Sequence, residues 1–285
     1  MFQVNTRLRM VVAVLFAVYL FLYPGSLALV ALDRVPVWGT WMGGALLILL
    51  GSLMGLWLTV NFGRMGALAS LWILFLSWLV EHVGATTGFP FGAYTYTEVL
   101  QPQIFGVVPL AIPFAWLLIV PAAVGVGELI LARNGDQGLD DRHVRISKVL
   151  MAASFALLLD VTIEPFAVNI NQYWVWNEAQ EAGYYGIPFS NFVAWFFTSL
   201  LLSWVLLLYR ARAMRARTVT EPPFWPWLPV ALYVSNLTMF VVVNLARGQE
   251  FAAVIGMLIL LALAGNWSWP RLVRLLRGAE QNSGA

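Results

Sequence analysis

The sequence predicts an all-α integral membrane protein with about eight transmembrane helices. Hydrophobic residues make up 61% of its 285 residues, and charged residues make up only 11%. The mean hydropathy is +0.79. The apolar residues gather into eight stretches, each about long enough to cross a ~30 Å hydrocarbon core at about 1.5 Å of helix rise per residue. The few basic residues fall almost entirely on one side of these stretches, as they do in multi-pass membrane proteins.

The eight stretches define the predicted helices, and we expect the chain 1–285 to form a single polytopic membrane domain. In order, the stretches are 10–32, 38–60, 66–83, 106–132, 146–166, 189–209, 226–246 and 250–269. A charged segment follows the first stretch instead of the small residues of a cleavage site, so we do not expect a cleaved signal peptide. Only Arg247, Gln249 and Glu250 separate the last two stretches, so their crossing is the least well defined. A short polar tail, 278–285, ends the chain.

The basic residues predict that both termini face the cytoplasm and that the protein spans the inner (cytoplasmic) membrane. With eight spans, 14 of the 16 lysines and arginines lie on one side, and only Arg34 and Arg247 lie on the other. Cytoplasmic loops carry this kind of excess. The 14 residues are Arg7, Arg9, Arg64, Arg133, Arg142, Arg145, Lys148, Arg210, Arg212, Arg215, Arg217, Arg271, Arg274 and Arg277. We therefore interpret the arginine cluster at 210–217 as a topology determinant and predict no nucleic-acid partner.

The composition excludes several classes of cofactor site. The chain has no cysteine, which excludes disulfides, thiolate metal ligands and cysteine nucleophiles. Its two histidines, His82 and His143, are too few for a di-iron centre and fall on opposite sides of the membrane, so they cannot hold a haem together. Its only lysine, Lys148, lies at a membrane boundary rather than inside a span, which argues against a retinal Schiff base. The sequence predicts no metal and no cofactor.

Two aromatic loops on the arginine-poor side resemble each other and suggest an internal repeat. The repeating unit is a helix that ends in a carboxylate, an aromatic loop, and a helix entered through Gly-x-Pro. At an offset of 79 or 80 residues the matched pairs are Glu81 and Asp160, Tyr94 and Trp174, Tyr96 and Trp176, Glu98 and Glu178, Gly106 and Gly186, Pro109 and Pro188, and Trp116 and Trp195. Chance matching in a tryptophan-rich chain is the alternative. A genuine repeat would pair the units about a pseudo-dyad along the membrane normal, with the two carboxylates facing one another.

Three acidic residues at the ends of apolar stretches are the catalytic candidates. Asp160 and Glu164 are four residues apart and share one helix face, just before Pro165. Two carboxylates at that spacing repel each other, so we expect one of them to keep its proton and to be suited to general acid catalysis. Glu81 ends the third stretch and is followed by His82. The alternative for all of them is that they lie at the water interface and merely end their helices.

The loops beside these acids supply the candidate substrate-binding residues. Trp and Tyr favour membrane interfaces, so an aromatic belt would account for them. The sharper interpretation is an aromatic box that surrounds the end of a long apolar ligand and stabilises positive charge by cation–π contact. The candidates are His82, Tyr94, Tyr96, Trp174, Trp176, Tyr184, Tyr185 and Asn191, of which Asn191 is the one amide and a candidate water ligand.

Four motifs within residues 80–200 carry a family resemblance. They are Glu81-x-x-Gly84-x-x-Thr87-Gly88-x-Pro90-Phe91-Gly92-x-Tyr94-x-Tyr96, then Val108-Pro109-Leu110-Ala111-Ile112-Pro113-x-x-Trp116, then Asp160-x-x-x-Glu164-Pro165, then Trp176 with Tyr184-Tyr185-Gly186-x-Pro188-x-x-Asn191-Phe192-x-x-Trp195. Together they resemble the membrane carotenoid 1′,2′-hydratases of bacteria and haloarchaea, while the flanking spans are similar by hydropathy alone. Glu164 departs from the aspartate expected before the proline and moves the carboxyl group outward by one methylene.

The resemblance implies a cofactor-independent enzyme that adds water across the terminal 1′,2′ double bond of a carotenoid ψ end group. Protonation at C2′ would give a tertiary cation at C1′, which water captures. On this hypothesis Asp160 is the acid, Glu164 tunes it, and Glu81 positions water with the help of His82 or Asn191. Aromatic side chains would flank the cation, namely Tyr94, Tyr96, Trp174 and Trp176.

Two other functions remain open from the sequence. One is a proton-coupled transporter or a lipid or carotenoid carrier, in which the acids relay protons; the clustering of the acids at one rim argues against it. The other is a carotenoid end-group cyclase, which shares the cationic intermediate but excludes water. The expected partners are an acyclic or monocyclic carotenoid such as lycopene or γ-carotene, membrane lipid and other carotenoid-pathway enzymes.

Overall fold

The structure is a computed structural model that describes residues 2–134, 141–177, 183–215 and 223–265. Four features of the sequence lie outside these residues. They are the polar tail 278–285, the last four residues of the eighth apolar stretch, Glu178 of the candidate repeat, and four of the arginines that predict the orientation, namely Arg217, Arg271, Arg274 and Arg277.

The described residues form an all-α multi-pass membrane protein. The helices are α1 (Phe2–Ala31), α2 (Met42–Thr87), α3 (Ala111–Asn134), α4 (Asp141–Pro165), α5 (Phe189–Arg215) and α6 (Leu228–Ala246), followed by the shorter α7 (Glu250–Gly265). One turn of π-helix, Phe166–Ile170, extends α4, and short 3₁₀ turns lie at Val37–Gly39 and Tyr184–Gly186. Within the described ranges, six helices are long and apolar enough to cross a membrane. The predicted helical class is thus confirmed, whereas the count of eight and the cytoplasmic termini stay predictions.

The second and third predicted stretches are joined in α2, which reverses direction at Gly63. This residue has φ +57° and ψ −140°, a non-helical conformation that glycine adopts without strain. On either side of it the arms 42–62 and 64–87 pack closely together. A Cβ on Gly66 would overlap the Leu58 carbonyl, and one on Gly55 would lie 3.6 Å from Ser70 Oγ. The 46 residues of α2 therefore form a hairpin.

Four helices form a closed ring that holds the polar site at one end. Helix α2 packs against α3 and α5, and α4 packs against the same two helices. Helix α6 covers α3 and α4 from outside the ring. Helix α1 touches only α2 and α6 among the larger contacts, and only 11% of its most apolar segment is buried. The buried core thus lies inside the ring and under α6, and α1 is peripheral to it.

The two aromatic loops that suggested a repeat pair directly with each other. Strand β1 (Tyr94–Tyr96) runs antiparallel to β4 (Trp174–Trp176), with Thr95 opposite Val175 at the centre. A second hairpin, β2 (Gln103–Ile104) with β3 (Val108–Pro109), leads into α3. The matched tryptophans Trp116 and Trp195 stack with ring centroids 4.1 Å apart. In the ring, α2 and α4 each pack against α3 and α5. These contacts are the ones expected if the predicted repeat is arranged about a local twofold axis.

Replacing Gly66 by alanine should destabilise the protein by about 1–3 kcal/mol, because the new Cβ would force the arms of α2 apart. Gly25→Ala in α1 is the matched control, since nothing lies within 4 Å of the position that its Cβ would take. Thermal unfolding of the purified variants in detergent measures the difference. Equal melting temperatures for the two variants would contradict the close packing of the arms.

Candidate functional site

Glu81 lies near the end of α2 and is held by three hydrogen-bond donors. The hydroxyls of Tyr94 and Tyr96 donate to its Oε2 at 2.7 and 2.8 Å, and the Trp116 indole donates to Oε1 at 2.9 Å. Tyr94 and Tyr96 are two residues apart on β1, so they lie on the same face of the strand and reach the same carboxyl group. Only 5% of Glu81 is exposed. A carboxyl group at this depth is tolerated when its oxygens are hydrogen-bonded, and both oxygens of Glu81 are.

The tyrosines around the site keep their hydroxyl protons at neutral pH. Burial first, and then the neighbouring Glu81 carboxylate, raises the pKa of both Tyr94 and Tyr96 above the ordinary value for a phenol. Burial also raises the pKa of Tyr173 to about 12, although a hydrogen bond from Asn171 works in the opposite direction. These hydroxyls therefore stay neutral throughout the physiological range.

Asp160 and Glu164 form the other half of the site and share a single amide. They lie one turn apart on α4, as their spacing predicts, and they are 0% and 1% exposed. Asn191, in the first turn of α5, donates its Nδ2 to Asp160 Oδ2 at 3.3 Å and to Glu164 Oε1 at 2.9 Å. Trp174 of β4 donates to Glu164 Oε2 at 3.3 Å. The buried Oδ1 of Asp160 accepts no hydrogen bond from the described residues.

The two halves face a cavity of about 90 Å³ that is lined by α2, α3, α4, α5, α6 and the β1–β4 sheet. Its wall contains Glu81, Glu164 and Asn191 at the polar end. Apolar side chains line the remainder, among them Ile119, Ala122, Leu159, Ile163 and Leu232. A water molecule needs roughly 10–15 Å³ of such space. The cavity therefore has room for several waters, or for the end of an apolar chain beside one or two of them.

The structure brings together most of the predicted site residues. Seven of the eleven line this cavity, namely Glu81, Tyr94, Tyr96, Glu164, Trp174, Trp176 and Asn191. Asp160 does not line it and is linked to it through Asn191.

The other three predicted residues lie away from the cavity. His82 projects from another face of α2, where its ring lies 5.4 Å from that of Trp78. Tyr184 donates to the Val161 carbonyl at 2.8 Å, and the Tyr185 hydroxyl accepts from the Ala252 amide at 3.2 Å. Both tyrosines thus join the 184–186 turn to neighbouring helices without reaching the cavity.

Several cavity residues were missed by the sequence-based prediction. Trp116 bonds Glu81 directly, and Trp195 stacks on it, although both were visible as partners in the repeat. That pairing was the available signal. Tyr233 and Asn236 of α6 also line the cavity, and Phe166 and Tyr173 close one side of it. Nothing in an apolar sequence singles these out, because the contact depends on where α6 crosses the ring.

The arrangement is suited to moving protons beside an apolar ligand. The carboxyl groups of Glu81 and Glu164 line one cavity and have different hydrogen-bond partners. The carboxyl group of Asp160 is connected to the cavity through Asn191. Aromatic faces and edges surround the space between. In the described part of the chain, no group of three or more His, Asp or Glu side chains is arranged to hold a metal ion.

An apolar helical bundle with carboxyl groups converging on an aromatic cavity defines the chain as a multi-pass membrane protein with a buried polar site. Residues 42–263 match the family described as carotenoid biosynthesis protein, and the chain belongs to that family. The resemblance inferred from the motifs is thereby confirmed. The matched region begins at α2 and leaves α1 outside it.

A curated relative and the known structures add two further findings. The chain is 26% identical over 161 residues to the bisanhydrobacterioruberin hydratase of Haloarcula japonica. The alignment covers 56% of this chain and 51% of the relative, so the chain spans about half the length of the curated relative it matches. No solved structure matches the chain.

Replacing Asn191 by leucine should lower the stability of the protein by about 1–3 kcal/mol, because two buried carboxyl groups then lose their shared donor. Adding Asp160→Leu should recover part of this loss, since removing both partners of a buried hydrogen bond is less costly than removing one. Thermal unfolding of the single and double variants in detergent measures both effects. A double variant less stable than Asn191→Leu would argue against this pairing.

Proposed function

We propose that the protein is a carotenoid 1′,2′-hydratase, which adds water to the terminal double bond of a ψ end group. The observation that carries this proposal is the single cavity on which Glu81, Glu164 and the aromatic side chains of both loops converge. The reaction adds a proton to C2′ and a water oxygen to C1′, and the water releases one proton. The overall change is alkene plus water to tertiary alcohol, without oxidation or reduction.

Glu164 is the proposed proton donor, with Asp160 behind it. Protonating an unactivated alkene requires an acid in contact with the substrate. Glu164 lines the cavity, whereas Asp160 is fully buried and touches the same amide from the far side. This supports exchanging the roles expected from the sequence. Asp160 would be a positioning residue, and repulsion between the two carboxylates would keep one proton on the pair.

Glu81 is the proposed acceptor of the proton from water. Its three donors stabilise the carboxylate form, which is the form that a general base requires. It lies on the cavity wall with Asn191, and the space between has room for a few waters. Water bound there would attack C1′ and pass its proton to Glu81, and proton exchange through the cavity waters would return the site to its starting state.

The aromatic side chains are proposed to stabilise the tertiary cation. Tyr96 and Trp174 meet edge to face with their centroids 6.0 Å apart, and Tyr94 and Trp176 lie 5.3 Å apart. An aromatic face near a cation contributes about 0.5–2 kcal/mol. Several faces around one cavity lower the energy of a carbocation without supplying a base that would remove its proton.

Two lines of support favour hydration over the alternatives. The relative is named a hydratase, and the cavity has room for water beside a chain end. A proton-driven transporter would need ionisable groups along its path through the bilayer, whereas those described here cluster at one rim. We further propose eight spans with cytoplasmic termini in the inner membrane, counting the two arms of α2 separately and adding α7.

The direct test is expression in a host that makes lycopene and γ-carotene, with pigments analysed by liquid chromatography and mass spectrometry. We expect a more polar product that is heavier by one water. An isomer of unchanged mass would indicate cyclisation instead. Unchanged pigments from membranes that contain the protein would contradict the proposal for these substrates.

The carboxyl variants should separate into two groups in that assay. Glu164→Gln and Glu81→Gln should lower the hydration rate about 10²–10⁴-fold, the usual contribution of a general acid or base. Asp160→Asn should lower it by less, because the amide keeps the volume and leaves Glu164 in contact with the substrate.

Glu98→Gln is the matched control, since this exposed acid lies on the same side of the membrane and outside the cavity. It should behave as wild type. A loss in Asp160→Asn larger than that in Glu164→Gln would return the donor role to Asp160.

A further inference from the structure

A second cavity adjoins the catalytic one and shares a wall with it. It measures about 430 Å³ and lies between α1, the first arm of α2, α6 and the 33–40 segment. We call it the vestibule. The residues that line both cavities are Leu47, Phe166, Tyr173, Asn236 and Phe240. The partition is therefore a single layer of side chains, and a change of side-chain rotamer there would join the two spaces.

The catalytic cavity is too small to hold a long ligand, so such a ligand needs an adjoining space such as the vestibule. Ligand pockets typically measure roughly 300–1,000 Å³. The catalytic cavity of about 90 Å³ is well below that range, whereas the vestibule, at about 430 Å³, lies within it. A chain whose terminal double bond reaches Glu164 must place the rest of its length outside the catalytic cavity.

The vestibule is lined for an apolar chain and borders the lipid phase. Leu46, Leu50 and Met239 contribute to its wall, with Tyr19 and Tyr23 on the α1 side. The two tyrosines bond to Ser235, at 2.7 Å to its hydroxyl and 2.8 Å to its carbonyl. Because α1 is mostly unburied, the vestibule is separated from the bilayer by a single peripheral helix.

At the outer end of this space, an ion pair and a hydrogen bond join the neighbouring helices. Arg247 pairs with Asp33 at 2.8 Å and donates to the Val30 carbonyl at 3.1 Å. These contacts join the end of α1 to the end of α6 on the water side. The route left to an apolar ligand is therefore lateral, from the lipid.

We propose that the vestibule binds the chain of the same long isoprenoid whose end is hydrated, and that this ligand enters laterally from the membrane past Tyr173. This inference rests on the proposed function for the identity of the ligand. Tyr173 is the central member of the partition: its hydroxyl lies against Gly43, where any side chain would overlap it. Gly43 thus leaves the space that the phenol occupies when the partition is closed.

The test measures polyene binding separately from turnover. Lycopene is added to the purified full-length protein in detergent, and binding is followed by the induced circular dichroism of the polyene. Met239→Trp fills the vestibule and should weaken binding at least tenfold. Val242→Trp on the same helix is the control, because Val242 is 38% exposed and lines neither cavity. Equal binding by the two variants would overturn the inference, as would wild-type protein that binds no polyene.

Two further measurements keep the test decisive if a tryptophan variant misfolds. The chain has no cysteine, so Met239→Cys introduces a unique thiol whose maleimide labelling lycopene should slow at least tenfold. Labelling unaffected by lycopene would overturn the inference and leave a lipid acyl chain as the occupant. In addition, Gly43→Ala should change binding by displacing Tyr173 from its closed position, and adding Tyr173→Phe should reverse that change by removing the overlapping hydroxyl; no reversal would exclude Tyr173 as the partition.

The hydration assay on the same samples distinguishes the two proposals. Vestibule-dependent binding without a hydrated product would contradict the proposed function and leave the binding site intact. Hydration by wild type that persists unchanged in Met239→Trp would leave the proposed function intact and overturn the vestibule as the binding site.

Discussion

The burial of three carboxyl groups at membrane depth is the constraint on which the rest of the structure depends. An unsatisfied polar group costs several kcal/mol in apolar surroundings, with roughly 1–3 kcal/mol measured in proteins. Helices cannot provide the missing donors from their own backbones, because these are already paired. The donors instead come from β1, β4 and the N-terminal parts of α3 and α5. The loops that carry β1 and β4 thus supply hydrogen bonds that the buried carboxyl groups require.

The pairing of the two aromatic loops gives one cavity two unlike halves. The paired strands bring Tyr94 opposite Trp176, and the matched tryptophans stack across the ring. Matched backbone positions carry different side chains, so the equivalent carboxyl groups meet different partners. Glu81 has three donors, whereas Asp160 has one and shares it with Glu164. The carboxyl groups thus have unlike surroundings, and unlike surroundings are in general what divides paired carboxyl groups into an acid and a base.

The sequence predicted the helices better than it predicted their packing, for a physical reason. Hydropathy marks where a chain enters and leaves a membrane, and in the described residues each apolar stretch overlaps a helix or one arm of α2. The faces of those helices carry no signal, since lipid-facing and core-facing side chains are equally apolar. The contribution of α6 through Tyr233 and Asn236 was therefore invisible. The site acids were found because an ionisable residue in an apolar stretch is rare, whereas His82 and Tyr184 were included because they lie next to an acid or in an aromatic loop.

The control of water decides between hydration and the competing loss of a proton from the same cation. A cyclase needs a cavity without water. Here the polar end has room for water and carries an amide and two carboxyl groups, whereas the opposite end is apolar. An apolar chain entering from the vestibule would fill the apolar end first and displace water from it, because burying apolar surface is favourable there. On the proposed function, water would then remain only beside Glu81 and Asn191, next to the terminal carbon. The polarity gradient of the cavity would therefore set both the direction in which the chain inserts and the carbon that water can reach.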